Sequence, residues 1–192
     1  MGFSNQWFYN NQLKAHPSVA QHTTAGSENL PFEFVDTAGC GFEEEREDEN
    51  SSTANPGEAG IVIQHLQRFL EACPENSTPP QVGIISPYKA QVLCIKEQLK
   101  AVGITKVTVN TVDGFQGQER DVIYISTVRS NQDGQIGFLS DYRRMNVALT
   151  RARQKLVVVG DSATLGSQDF YQQFLDYTEK VAGYRSAWEF MS

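Results

Sequence analysis

The sequence predicts an α/β domain whose mainly parallel sheet is covered by helices on both faces. Short, near-continuous apolar runs, the clearest being Leu156-Val157-Val158-Val159-Gly160, read as strands buried on both sides. Between them lie segments with apolar residues at helical spacing. Strands and helices that alternate in this way call for right-handed crossovers, and 192 residues, 40% of them hydrophobic, suit a single core.

Taken in order, Phe3 to Leu13 reads as a short aromatic helix, leading through Pro17 into a polar stretch that ends at Pro31. Phe32 to Asp36 is a strand. From 41 to 54 the composition turns to glycine, serine and acid, which predicts a mobile surface loop without an apolar face. Asn55-Pro56-Gly57-Glu58 starts a helix, with Asn55 as cap, Pro56 in the first turn and Glu58 completing a capping box. Ala59, Val62, Ile63, Leu66 and Phe69 follow on one face. Val82 to Ser86 is the next strand. Pro87 opens a second helix carrying Val92, Ile95 and Leu99, and Gly103 closes it. Lys106 to Val109 and Val122 to Val128 are strands, Arg143 to Arg153 a helix, Lys155 to Gly160 a strand, and roughly 168 to 181 a last helix before a tail from 183 to 192.

Composition removes several function classes. No apolar run approaches the ~20 residues that span a bilayer, and the start lacks the basic head and apolar middle of a signal peptide. Cys40, Cys73 and Cys94 are odd in number and widely spaced, and His16, His22 and His65 are scattered, so neither disulfides nor zinc is indicated. A reducing cytoplasm suits such thiols, or a nucleus in a eukaryote. The net charge of −7 speaks against a nucleic-acid binder, yet six acids between Glu43 and Glu49, against Arg46 alone, account for most of it. Arg143, Arg144, Arg151, Arg153 and Lys155 form an opposing basic stretch with no acid among them.

Three segments carry the chemistry. In Asp141 to Arg153, helical spacing puts Met145, Ala148, Leu149 and Ala152 on one face, Arg144 and Arg151 on one flank, and Asn146 and Arg153 on the other. Guanidinium forks of this kind suit phosphate oxygens, although a salt-bridged surface helix has the same pattern. Val109 to Asp121 joins two strands, with Gly114 and Gly117 allowing close approach or positive φ; alone it is an ordinary polar loop. Ser86-Pro87-Tyr88-Lys89-Ala90-Gln91 sits at a strand-to-helix junction, where free N–H groups attract anions and where simple capping is equally apt. Together the three predict one ligand edge at the C-terminal ends of neighbouring strands.

IISPYKAQ, TVDGFQGQERDVIYISTVRS and RRMNVALTRARQKLVVVGD resemble, in wording and order, motifs IV, V and VI of the superfamily 1 helicases. The resemblance is to the 5′-to-3′ branch that includes senataxin, Dna2 and the helicase of nonsense-mediated decay. It implies a RecA-like C-terminal motor domain that works with an N-terminal RecA-like domain of the same parent protein on single-stranded DNA or RNA, using ATP and Mg²⁺. Arg151, in the Leu-Thr-Arg-Ala match, is then the arginine directed at the γ-phosphate. Gln116, Gly117, Glu119 and Arg153 fall on the nucleotide side; Ser86, Tyr88, Thr111, Asp113 and Arg129 fall on the strand side.

No GxxxxGK[ST] occurs, nor an apolar strand ending in an Asp-Glu pair, so the phosphate loop and the Mg²⁺ carboxylates are expected on the N-terminal motor domain, and the isolated chain is expected to be inactive. Asp36-Thr37-Ala38-Gly39 resembles the switch of small GTPases but lacks the accompanying guanine reader. The competing reading from another class is a catalytically silent nucleic-acid or protein-binding module. Arg151, Glu119 and Gln116 favour the motor, because a module without ATP has no use for them.

Overall fold

The computed structural model describes residues 2–9, 30–46, 52–74 and 77–191. Six strands, β1 (Phe32–Asp36), β2 (Val82–Ser86), β3 (Val107–Thr111), β4 (Arg120–Ser126), β5 (Ala152–Gly160) and β6 (Tyr184–Ser186), form one sheet in the order β3-β2-β4-β5-β1-β6. Every neighbouring pair is parallel. The helices are α1 (Gly2–Tyr9), α2 (Pro56–Glu71), α3 (Lys89–Ala101), α4 (Tyr142–Leu149), α5 (Ser162–Leu165) and α6 (Asp169–Lys180).

Successive side chains of a strand point to opposite faces, which divides the core in two. Val35, Ile84, Tyr124, Val157 and Val159 pack under α2 and α3. Their neighbours Phe34, Ile85, Ile123, Ile125 and Val158 face α1, α4, α5 and α6. That two-sided burial is why the strands read as continuous apolar runs. Phe3 of α1 meets Phe170 and Phe174 edge-on at 5.3 and 5.2 Å, which fixes α1 on α6. The lead-in expected to 31 lies outside the described residues from 10 to 29, His16 and His22 included.

Four expectations are corrected. The helix expected to 153 ends at Leu149, because the Thr150 hydroxyl donates to the carbonyls of Asn146 (2.9 Å) and Val147 (3.0 Å) and the Arg120 N–H takes the Arg151 carbonyl (3.1 Å) into the sheet. Ala152 and Arg153 therefore belong to β5 and not to a helix face. Of the tail from 183, Tyr184–Ser186 is a strand beside β1, anchored by a hydrogen bond from the Tyr184 hydroxyl to Asp36. The stretch from 41 to 54 has partners at both ends. Glu45 and Ala54 exchange backbone hydrogen bonds of 2.7 and 3.0 Å, and the Glu44 carboxylate accepts from Arg129 Nε (2.7 Å), Ser130 N (3.0 Å) and Asn131 Nδ2 (3.0 Å). A buried guanidinium needs a carboxylate, and Glu44 supplies it; residues 47–51 lie outside the described residues.

The fourth correction concerns Glu58. Asn55 caps α2 as expected, its side-chain oxygen accepting from the Glu58 N–H at 2.9 Å. Glu58 does not complete the box. The Asn55 N–H goes instead to Gln91 Oε1 (2.8 Å), while Glu58 Oε1 accepts from the Ser126 hydroxyl (2.6 Å) and the Val128 N–H (2.8 Å). Gln91 Nε2 closes the network on the Asn55 carbonyl (3.1 Å) and Ser126 Oγ (2.9 Å). Complete burial pushes the Glu58 carboxyl up to about 8, the hydrogen bonds from Ser126 and Val128 pulling the other way.

At the other end of the sheet, under α2, Lys155 pairs with Glu33 and donates to the Leu30 carbonyl (2.8 Å). His65 lies 3.1 Å from Glu33 and 2.9 Å from the Tyr124 hydroxyl. Burial alone would raise the Glu33 carboxyl; the hydrogen bonds from His65 and Lys155 and the Lys155 charge outweigh it and hold it at about 2.

Removing one member of this pair strands the other. Lys155→Met is expected to lower unfolding free energy by about 3 to 5 kcal/mol, and the double variant with Glu33→Gln to recover much of that loss in denaturant titrations. If the double variant is no better than the single one, the pair is not the cause.

The two carboxyls tilt stability in opposite directions. Glu33, depressed in the fold, stabilises above its ordinary value near 4.5 and loses that contribution as pH falls toward about 2. Glu58, raised in the fold, is most favourable below about 4.5 and costs stability as pH rises toward about 8. Glu58→Gln keeps an oxygen acceptor for Ser126 and Val128 and is expected to melt higher than the wild type at pH 8, by a margin that vanishes near pH 5. An equal margin at both pH values would show that ionisation of Glu58 plays no part.

Candidate nucleotide and nucleic-acid sites

The expected single ligand edge is in fact two places. The segments from Ser86 and Thr111 do start at the C-terminal ends of β2 and β3, but the connection after Phe115 and α4 both run back across the sheet to its N-terminal edge. As a result Tyr88, Thr111, Asp113 and Arg129 line one cavity, while Glu119, Arg151 and Arg153 stand at the other end. Eight residues of α4 separate the two, about 12 Å at 1.5 Å per residue.

At the C-terminal edge the cavity holds about 900 Å³ and is also lined by Arg46, Lys89, Phe138, Asp141 and Arg144. Its floor is built by backbone constraint. After β4 the chain turns at Val128 with φ of 74°, a conformation that a β-branched residue adopts only when its surroundings hold it. Glu58 accepts the Val128 N–H and Asn55 Nδ2 donates to its carbonyl (3.2 Å), so the start of α2 fixes the turn. Arg129, 3% exposed, is thereby directed inward to Glu44 and to the Tyr88 hydroxyl (3.3 Å). Burial disfavours its charge, but hydrogen bonds to Glu44 and Tyr88 raise its pKa above the ordinary value.

Arg129 thus lines the cavity as a buried guanidinium whose charge is already met by Glu44. Ser86 is likewise fully buried, its hydroxyl accepting from the Tyr88 N–H at 3.4 Å. The free N–H groups expected at the start of α3 are partly taken, since Ser52 Oγ accepts from the Ala90 N–H at 3.1 Å. Exposed charge around the cavity comes instead from Arg46, Lys89 and Arg144, the last lying 3.6 Å from Asp113 and 3.5 Å from Asp141. Thr111 and Asp113 remain accessible at the rim, Thr111 Oγ1 accepting from the Gly114 N–H at 3.4 Å.

At the N-terminal edge, Arg151 is half-buried. Its Nε donates to the Val147 carbonyl (3.0 Å) and one terminal nitrogen to Thr150 Oγ1 (3.3 Å), which holds the fork at the end of α4. Among the described residues no carboxylate forms an ion pair with it. Arg153 is exposed between Glu119 (3.4 Å) and Asp121 (3.6 Å). Gln116 and Gly117 are exposed in the loop that precedes β4. Gly117 has φ of 77° with open space where a Cβ would stand, whereas a Cβ on Gly114 would come within 2.3 Å of Asn110. Both glycines serve as their spacing predicts, one through conformation and one through close approach.

Sequence reasoning missed Glu44, Asn55, Glu58, Gln91 and Val128, which do not line the cavity but hold Arg129 and the turn behind it. Asn55-Pro56-Gly57-Glu58 was the one signal within reach, and its local meaning as a helix start masked the long-range one.

The sequence matches the AAA_12 family, described as an AAA domain, over residues 1–163. It is 36% identical to the DNA-binding protein SMUBP-2 of Rattus norvegicus over 98% of this chain and 20% of that protein. To the DNA polymerase alpha-associated DNA helicase A of Saccharomyces cerevisiae it is 38% identical, over 86% of this chain and 26% of that protein. The chain therefore spans about a fifth to a quarter of the length of these curated relatives. Among solved structures, the C-terminal domain of a possible DNA helicase from Lactobacillus plantarum aligns with a TM-score of 0.51 at 13% identity, over 92% of this chain and 99% of that one, which shows the fold. Three motifs in order, a parallel sheet with helices on both faces, and a family match along most of the sequence give one answer: the chain belongs to the superfamily 1 helicases, in their 5′-to-3′ branch, and has a RecA-like fold.

Proposed function

We propose that this chain is the second motor domain of an ATP-dependent helicase or translocase, one that grips a single strand of DNA or RNA at one end of its sheet and meets ATP at the other. The observation that carries the reading is Arg151: a half-buried guanidinium, braced by Val147 and Thr150 and without a carboxylate ion pair among the described residues. An arginine serving only as a surface salt bridge would have such a partner.

Arg151 is assigned to the γ-phosphate, with Gln116, Gly117, Glu119 and Arg153 around the nucleotide. The fit is chemical. Gly117 leaves its backbone accessible, and the fork of Arg151 matches phosphate oxygens. ATP with Mg²⁺ supplies the phosphoryl group and its charge compensation; the Mg²⁺ ligands and phosphate loop are assigned to an N-terminal RecA-like domain of the parent protein. On the strand side Thr111 and Asp113 make contact, Lys89 and Arg144 attract phosphates, and Ser86, Tyr88 and Arg129 position the floor. Because α4 joins the two ends, displacement at its Arg151 end reaches the cavity through Met145 and Ala148, which line it.

In the parent protein carrying both motor domains, Arg151→Ala is expected to lower ATP turnover by about 10³-fold or more, with ATP binding weakened far less. Arg151→Lys should rescue little, since an ammonium does not reproduce the planar fork. The isolated chain should show no turnover. Steady-state ATPase rates and nucleotide titrations check this, and normal turnover by a folded Arg151→Ala protein would overturn the assignment.

A further inference from the structure

We infer that Phe138 is a stacking platform for one unpaired base of the bound strand, which deepens the strand-grip reading above and rests on it. Phe138 is the most exposed of the large apolar side chains among the described residues, at 63%, and it stands on the rim of the cavity. Exposed aromatic rings are common on mobile loops; this one is held. Its backbone N–H donates to the Tyr88 hydroxyl at 3.2 Å, and the Tyr88 ring lies 5.4 Å from its own. The next residue, Leu139, is buried, and its carbonyl accepts from the Tyr171 hydroxyl at 2.8 Å.

Gly137 shows why the loop can sit so low. Its φ is 52°, and a Cβ there would come within 2.1 Å of the Arg129 guanidinium and 2.6 Å of the Tyr88 hydroxyl. The chain is thus pressed onto the buried Arg129 and Tyr88, and the only side chain of the Gly137–Ser140 turn that projects as a large apolar surface is Phe138. Fixing a ring in water without burying it gives up the stabilisation that burial would bring, and an aromatic held in advance loses little entropy when a flat partner arrives. The surroundings select that partner. Lys89 and Arg144 line the same cavity and suit phosphates, Asp113 suits a base or sugar donor, and an apolar face among them matches the π-face of a base. Stacking of this kind tolerates any base, as a translocating grip requires.

The experiment compares binding of the 192-residue chain to two fluorescent oligonucleotides of about fifteen units, an oligothymidylate and its abasic counterpart with the same phosphates, by anisotropy at fixed salt. Wild type is expected to prefer the base-bearing strand by roughly five- to hundredfold. Phe138→Ala should abolish that preference while leaving abasic binding and the melting temperature unchanged, because the ring is exposed; Phe138→Trp should retain the preference. Equal wild-type affinity for the two strands, or a preference that survives Phe138→Ala, overturns the platform and leaves the strand grip standing. Binding of neither strand overturns the grip itself and the platform with it.

Discussion

The turn at Val128 is the constraint on which the C-terminal edge of this domain depends. A valine at positive φ is disfavoured by its own side chain, by about 1 to 3 kcal/mol for residues in such regions, so something must hold it there. The cap Asn55 and the first-turn Glu58 of α2 do so, Asn55 donating to the Val128 carbonyl and Glu58 accepting from its N–H. Everything beyond follows from that direction of the chain. Arg129 points into the protein and not along the strand, its guanidinium meets Glu44 and Tyr88, and the Gly137 loop rests on the two of them. A helix cap, usually a local device, has become the foundation of a cavity wall.

Electrostatics give the same picture at a different scale. A chain with a net charge of −7 offers a polyanion little general attraction. Part of its acidity is spent inside, where Glu44 neutralises a guanidinium that would otherwise be buried alone. What remains at the cavity is a few exposed cations among carboxylates, and the arginine at the far end of α4 has no ion pair among the described residues. Local placement of charge outweighs its sum, because solvent and salt screen distant acids over a Debye length of about 8 to 10 Å.

Much of this was legible in the sequence, and the boundary of legibility is physical. The strands Phe32–Asp36 and Val82–Ser86 stand where the apolar runs put them, as does the start of α2, since burial on two faces and the Asn-Pro start are local signals. The three motifs were also found, though as one edge where there are two. The end of α4 was misplaced because Ala152 stays in helical phase and arginine is a good helix former; only Thr150 and the pull of β4 argue otherwise, and β4 is a tertiary neighbour. Short β6 gave no periodicity to read. Glu44 and Arg129 lie 85 positions apart, and Glu58 and Val128 70. Separations of that size leave no trace in a local pattern, so the composition of residues 41 to 54 pointed to solvent where the fold required a counter-ion.

The strand order has a consequence for the way the chain acquires its shape. β1, near the start, pairs only with β5 and β6, with Phe32 opposite Leu156 and Phe34 opposite Tyr184. β2, β3 and β4 can assemble among themselves from residues much closer in sequence. Closing the longer loop costs entropy before its contacts return any. During synthesis, then, Phe34 and Val35 emerge early and stay without their sheet until β5 has been made, by which time α2 and α3 can already cover one side of the remaining strands. Of the six strands of this sheet, the first to be synthesised is among the last to find its place.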